Sequence, residues 1–291
     1  MYNTSMLKND SFKDKTILIT GGGTGLGKSI GEYLLSLGAS LIITSRKIDV
    51  IEKTQNDFNK IYPNKVLAIA GDVRKIEDVE LVIKDGINKF GKIDYLINNA
   101  AGNFISPTER LSANAFNVII DIVLKGTCNY TLTLGKEWIN NKSGGTILNI
   151  TTTYAKSGSG FVTPSAAAKG GVSAFTKSIA AEWAKYNIRC NAVAPGPFPT
   201  KGAWDRLVPP GFSKFFDIKK RVPLKRVGEH QELANICGYL LSDYSSYITG
   251  EIITIDGGEQ MYNSGQFSWL DKVPNAMWAI IEKTIRKKNK K

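Results

Sequence analysis

The chain has 291 residues, 42% of them hydrophobic, enough to build a core for one large domain or two small ones. Its three cysteines, Cys128, Cys190 and Cys237, lie far apart and its only histidine is His230; this argues against a disulfide framework, a zinc site and a Ser-His-Asp hydrolase, so no metal is expected. The net charge of +12 favours anionic partners, yet the run KTIRKKNKK (283–291) carries much of the excess and reads as a solvated end, not a specific nucleic-acid site.

The opening MYNTSMLKNDSFKDK is polar and lacks the apolar segment of a signal peptide, and no later run approaches the roughly 18–20 apolar residues of a membrane helix. A cytoplasmic protein with no membrane partner is expected, or a mitochondrial matrix protein if this is a mature eukaryotic form. TILIT (16–20) predicts a strand that runs straight into TGGGTGLGKSIGEYLLSLG. Glycines there permit a tight turn and close approach of a diphosphate, whose charge suits the start of the next helix. Gly21, Gly22, Gly23, Thr24, Gly25, Leu26 and Gly27 are therefore candidate dinucleotide contacts. SLIITS (40–45) ends in TSRK, where an enzyme using NAD would carry an acidic residue for the ribose hydroxyls. Ser45 and Arg46, helped by Lys47, offer donors to a 2′-phosphate instead, which selects NADP(H).

KVLAIAG (65–71) leads to GDVRK, with Asp72 at the adenine edge, and IDYLINNA (93–100), GTILNITTT (145–153), IRCNAVA (188–194) and EIITID (251–256) complete the strand-like runs. They are almost continuously apolar, as strands covered on both faces require, and helix-length stretches separate the first five. The expected fold class is α/β, a Rossmann-like doubly wound parallel sheet flanked by helices. It forms a single catalytic domain, 1–260, with a C-terminal helical extension, 261–291, whose amphipathic helix needs the parent domain or a second subunit to cover it. The longest irregular region, 195–228, has the length of a lid. His230, opening EHQELANICGYLL, reads as a surface residue in a first helical turn.

The glycine turn, Asp72, NNAAG (98–102), Lys169 in AAAKGGV, PGP (195–197) and the late DGG together resemble the short-chain dehydrogenases/reductases over about 15–260. That resemblance implies further cofactor contacts at Val73, Asn98, Lys169, Pro195, Gly196, Pro197, Phe198 and Thr200. In the family a tyrosine four places before the lysine moves the proton, but Ser165 stands there. Thr152 occupies the place of the assisting serine, and Val123 that of the usual helix asparagine. Either the protein is inactive, or it runs another reaction.

NNAAGNF, TTTYAKSGSGF, PSAAAKGGV and APGPFPTKGAWDRL are similar to one branch of the family, the mitochondrial-type NADPH-dependent 2,4-dienoyl-CoA reductases. There the tyrosine lies eleven places before the serine, and Tyr154 fills that position. The resemblance implies reduction of a 2,4-dienoyl-CoA to a trans-3-enoyl-CoA in β-oxidation of unsaturated fatty acids. It makes Tyr154 and Asn103 donors to the thioester oxygen, with the C2 proton coming from Tyr154 or from a water held by Ser165 and Lys169. Arg46, Arg74 and Arg206 become candidates for the acyl-CoA phosphates, Phe104 and Ser112 for the ester, and a homotetramer the expected assembly. Two readings compete: a trans-2-enoyl-CoA or 3-oxoacyl reductase, and a non-catalytic NADP(H)-binding protein.

Overall fold

Seven strands form one parallel sheet in the order β3-β2-β1-β4-β5-β6-β7. They are β1 (Thr16–Thr20), β2 (Ser40–Ser45), β3 (Val66–Ala70), β4 (Tyr95–Asn98), β5 (Gly145–Ile150), β6 (Ile188–Pro195) and β7 (Ile252–Ile255). The computed structural model describes residues 4–200 and 217–288. All seven predicted strands are present. The fifth ends three residues early, because Thr153 takes helical dihedral angles and turns the chain out of the sheet.

β1 is buried along its whole length and pairs on both sides, Leu18 opposite Ile42 of β2 and Leu96 of β4. Its side chains alternate between two cores, as the period of a strand dictates. Ile17 and Ile19 join Ile43, Ile97 and Leu148 under α1 (Gly25–Ser36). Leu18 joins Ile42, Leu96 and Ile147 on the opposite face, which α3 (Ile76–Phe90) and α5 (Gly126–Asn141) cover. Each such fully buried aliphatic side chain contributes about 1.5–3 kcal/mol. α2 (Ile48–Asn59) covers β2 and β3.

Strand order reverses between β1 and β4, and their carboxyl ends open a crevice there, the usual ligand position in a sheet of this kind. α4 (Ala113–Ile120) runs into α5 through one wide π-helical turn, Asp121–Lys125, in which the Gly126 N–H donates to the Asp121 carbonyl. The widened turn directs Val123 inward, where it is fully buried with Ile119, Ala168 and Val172. Val123 thus packs against the helix that carries Ser165 and Lys169.

Between β5 and β6 the chain forms α6 (Tyr154–Ser157) and α7 (Thr163–Trp183), and after β6 it forms α8 (Ile218–Arg221) and α9 (His230–Leu241). The end of the chain forms α10 (Glu259–Ser264) and α11 (Asn275–Lys288). Met261, Phe267, Met277 and Ile280 stand exposed along this stretch. Among the described residues no helix is long and apolar enough to cross a membrane.

Candidate active site at the carboxyl edge of the sheet

The glycine turn after β1 has the backbone a diphosphate needs. Gly21 has a φ of +67°, which a side chain would strain, and a Cβ on Gly27 would lie only 2.5 Å from the Asn99 side-chain amide. Thr24 stands at the start of α1 without a side-chain cap, so the first N–H groups of that helix lack a partner from it. This is the cradle of an anion site, and it fits a dinucleotide diphosphate. Gly22 and Gly23 press against Ile43 and Ile51, and Leu26 packs on the core below.

β4 supplies the opposite wall. The Asn99 side-chain amide donates to the Thr20 and Gly21 carbonyls at 3.0 and 3.1 Å, and its backbone N–H donates to the Thr20 hydroxyl. Asn98, the predicted contact, faces the other way. Its amide donates to Thr131 at 3.0 Å and to Asn149 at 2.9 Å inside the core, 3% exposed, so only its backbone borders the crevice. Asn99 carries the role of bracing the turn.

The corner expected to hold the adenosine lies past β2 and β3. Arg46 is exposed immediately after β2, Ser45 caps the turn there by accepting from the Lys47 N–H, and Asp72 sits two residues past β3. Arg74 lays its guanidinium across Asp72, with Nε 2.9 and 3.0 Å from the two carboxylate oxygens. That hydrogen-bonded pairing, with a smaller contribution from the Arg46 charge, holds the Asp72 carboxyl below its ordinary range. Arg74, a predicted substrate contact, thus joins Arg46 and Asp72 in one corner. Val73 is buried against Gly126, and its carbonyl accepts from Asn129.

The chemistry-bearing groups meet past β5. After Thr153 the chain makes the short α6, which Gly158 ends at a φ of +71°. In α7 Pro164 stands in the first turn, and Ser165, Ala168, Lys169 and Val172 lie on the buried face. The Tyr154 hydroxyl lies 3.1 Å from Ser165 Oγ, and the Asn103 amide donates to it at 3.3 Å. The Phe104 N–H occupies Asn103 Oδ1 at 2.9 Å, which fixes the amide with its NH2 toward Tyr154. The predicted trio is therefore one hydrogen-bonded chain. Lys169 is 6% exposed and its ammonium donates to the Ile150 carbonyl at the end of β5; burial lowers its pKa from 10.5 to about 8.

Other predicted contacts separate into near and far. Phe104 packs beside Ile119 and Val123, while Ser112 caps α4 by accepting from the Ala115 N–H at 3.1 Å. Pro195 ends β6, and the Gly196 N–H donates to the Ile255 carbonyl so closely that a Cβ on Gly196 would meet Asp256 at 2.6 Å. The Pro197 carbonyl accepts from the Gly228 N–H, Phe198 is buried in the core and Thr200 lies against Gly25. Arg206 falls outside the described residues.

The sequence family described as enoyl-(acyl carrier protein) reductase matches residues 21–260. The chain is 43% identical over 288 residues, 97% of its length and 92% of the relative's, to a Caenorhabditis elegans protein named "Probable 2,4-dienoyl-CoA reductase decr-1.2 [(3E)-enoyl-CoA-producing]". It is 38% identical over 268 residues, 89% of its length and 98% of the relative's, to "Probable 2,4-dienoyl-CoA reductase [(2E)-enoyl-CoA-producing]" of Bacillus subtilis. Among solved structures, a short chain dehydrogenase from Bacillus anthracis superposes with a TM-score of 0.77 at 40% identity, covering 84% of this chain and 96% of that one. With its seven-stranded parallel sheet, its glycine turn and these relatives, the chain belongs to the short-chain dehydrogenase/reductase family.

Proposed function

We propose that this oxidoreductase reduces 2,4-dienoyl-CoA esters with NADPH to the trans-3-enoyl-CoA. The observation that carries the reading is the Asn103–Tyr154–Ser165 chain, which supplies a phenol where the residue four places before Lys169 offers only a serine. The name of the Caenorhabditis elegans relative agrees with it in substrate and product, and that of the Bacillus subtilis relative agrees in substrate while naming the (2E) product. A bound nicotinamide supplies a hydride, which at C5 of the dienoyl ester leaves negative charge on the thioester oxygen.

The residues of the site answer that charge. Tyr154 and Asn103 direct their donors to the thioester oxygen, and each such preorganised donor is worth about 3–4 kcal/mol of barrier. Ser165 turns its hydroxyl to the Tyr154 oxygen as the phenol gives up hydrogen-bond density, which keeps the phenol oriented. Lys169, held on the Ile150 carbonyl, carries positive charge beneath the site and a donor for the nicotinamide ribose. Its charge, the Arg46 corner and the overall basicity of the chain suit a dinucleotide and an acyl-CoA, both rich in phosphate. A homotetramer would cover the exposed Met277 and Ile280 of α11.

NADPH oxidation with trans,trans-2,4-hexadienoyl-CoA, beside crotonyl-CoA and acetoacetyl-CoA, tests the reaction, and NMR of the product formed in D2O tests the site of protonation. Turnover of the dienoyl ester alone, with deuterium at C2 and a trans-3 double bond, is expected. Deuterium at C4 with a trans-2 product would favour the outcome named for the Bacillus subtilis relative. No oxidation of any ester by a protein that binds NADPH would sink the reductase reading.

Arg46 decides the cofactor. Arg46→Asp removes a charge-assisted donor worth about 1.5–3 kcal/mol and sets a carboxylate against the 2′-phosphate. NADPH affinity is expected to fall at least about a hundredfold and NADH affinity by less than about threefold. Equal losses for the two cofactors would remove Arg46 from the phosphate site.

A further inference from the structure

His230, read from sequence as a surface residue, opens α9 and bridges two segments distant in the chain. Its Nδ1 lies 2.8 Å from Ser29 Oγ on α1, and its Nε2 lies 2.8 Å from the Pro199 carbonyl oxygen. A carbonyl only accepts, so Nε2 carries the proton and donates, leaving Nδ1 to accept the Ser29 hydroxyl in the neutral ring. Ser29 stands in the first turn of the cofactor helix, its single hydroxyl proton shared between His230 Nδ1 at 2.8 Å and the Gly25 carbonyl at 3.2 Å.

The residue after Pro199 gives this bridge its meaning. The Thr200 side chain covers Gly25: a Cβ built there would stand 3.4 Å from Thr200 Cγ2 and 3.5 Å from its Cβ. Gly25, at a φ of +54°, starts α1 and belongs to the anion cradle. Holding the Pro199 carbonyl therefore holds Thr200 over the glycine turn, where the segment from Pro195 to Thr200 runs from the end of β6 to the start of α1. The imidazole reaches α1 and this segment together because its two nitrogens lie on opposite edges of the ring.

We infer that His230 is a positioning residue for the diphosphate and nicotinamide half of the dinucleotide, acting through Pro199 and Thr200. The inference rests on the reading of the cofactor as NADP(H). The adenosine end, at Arg46, Asp72 and Arg74, lies beyond β2 and β3 and makes none of these contacts. The strap therefore grips one half of the dinucleotide and ignores the other.

Binding of two probes separates the halves: NADPH, which spans the site, and 2′,5′-ADP, which stops short of Thr200. His230→Ala is expected to weaken NADPH binding about tenfold, the effect of one lost hydrogen bond that orders a segment, and to leave 2′,5′-ADP within about twofold. His230→Gln, whose side-chain N–H can still donate to the Pro199 carbonyl, should recover most of the loss. Unchanged NADPH affinity in His230→Ala would overturn the inference. So would equal losses of both probes, because a general loosening of α1 against α9 weakens every ligand alike. Failure of the unaltered protein to bind 2′,5′-ADP would overturn the cofactor reading and this inference with it, a result distinct from failure of the variants. Turnover of a dienoyl ester does not enter the measurement.

Discussion

Tyr154→Phe is expected to lower kcat roughly a thousandfold while NADPH affinity stays within about twofold. The substitution removes one oxygen and keeps the ring, so α6 keeps its packing and only the hydrogen-bonded chain from Asn103 to Ser165 is cut. Two losses combine: a donor to the thioester oxygen in the transition state, and any proton delivered from the phenol. The first alone is worth about 10²–10³ in kcat. Stopped-flow oxidation of NADPH, with cofactor binding measured separately, reads both quantities. Turnover within threefold of the unaltered enzyme would show that the relocated phenol does not serve the reaction, and attention would pass to a water held by Ser165 and Lys169.

The sheet was legible because parallel strands covered on both faces read as unbroken apolar runs, so TILIT and SLIITS announced themselves without any alternation. The glycine turn was legible for a related reason, since few other backbones need so many residues without side chains between a strand and a helix. Asn98 and Asn99 were harder. Adjacent residues of a strand point to opposite faces, and the dipeptide alone does not tell which one faces the crevice. The phase comes from Leu96, which lies in the core under α5 and takes Asn98 with it two residues later. Arg74 shows a different limit. The sequence places Asp72 at the adenine edge and Arg74 at the substrate, yet two residues apart in a turn they pair with each other. Tyr154 could be assigned only through resemblance, because its distance to Ser165 depends on how α6 and the loop after Gly158 fold back on α7. The bridge of His230 spans 201 residues to Ser29, and no local pattern encodes such a contact.

At Lys169 function and stability are expected to oppose one another, and Lys169→Met tests both. The ammonium is buried, and desolvation lowers its pKa from 10.5 to about 8, so at pH 7 the folded protein holds a charge it would hold more easily unfolded. Proton counts give the sign. Between about pH 8 and the ordinary lysine value the unfolded chain binds the proton and the folded chain does not, so this group makes the protein more stable as pH rises through that window. Below pH 8 the penalty is fully present, on the order of 3 kcal/mol for a shift of this size, offset in Lys169→Met by about 1 kcal/mol for the lost bond to the Ile150 carbonyl. Lys169→Met should therefore melt no lower than the unaltered protein at pH 7, and its advantage should shrink as pH rises above about 8. Activity should move the other way. The unaltered enzyme is expected to lose kcat/KM above about pH 8, as the charge beneath the site disappears, while Lys169→Met shows at least about a hundredfold lower kcat/KM with no such alkaline limb. Melting curves and pH profiles of the two proteins check this together. A variant that melts far lower at pH 7 yet turns over normally would make Lys169 a structural residue, and the charge at the end of β5 would have no part in the reaction.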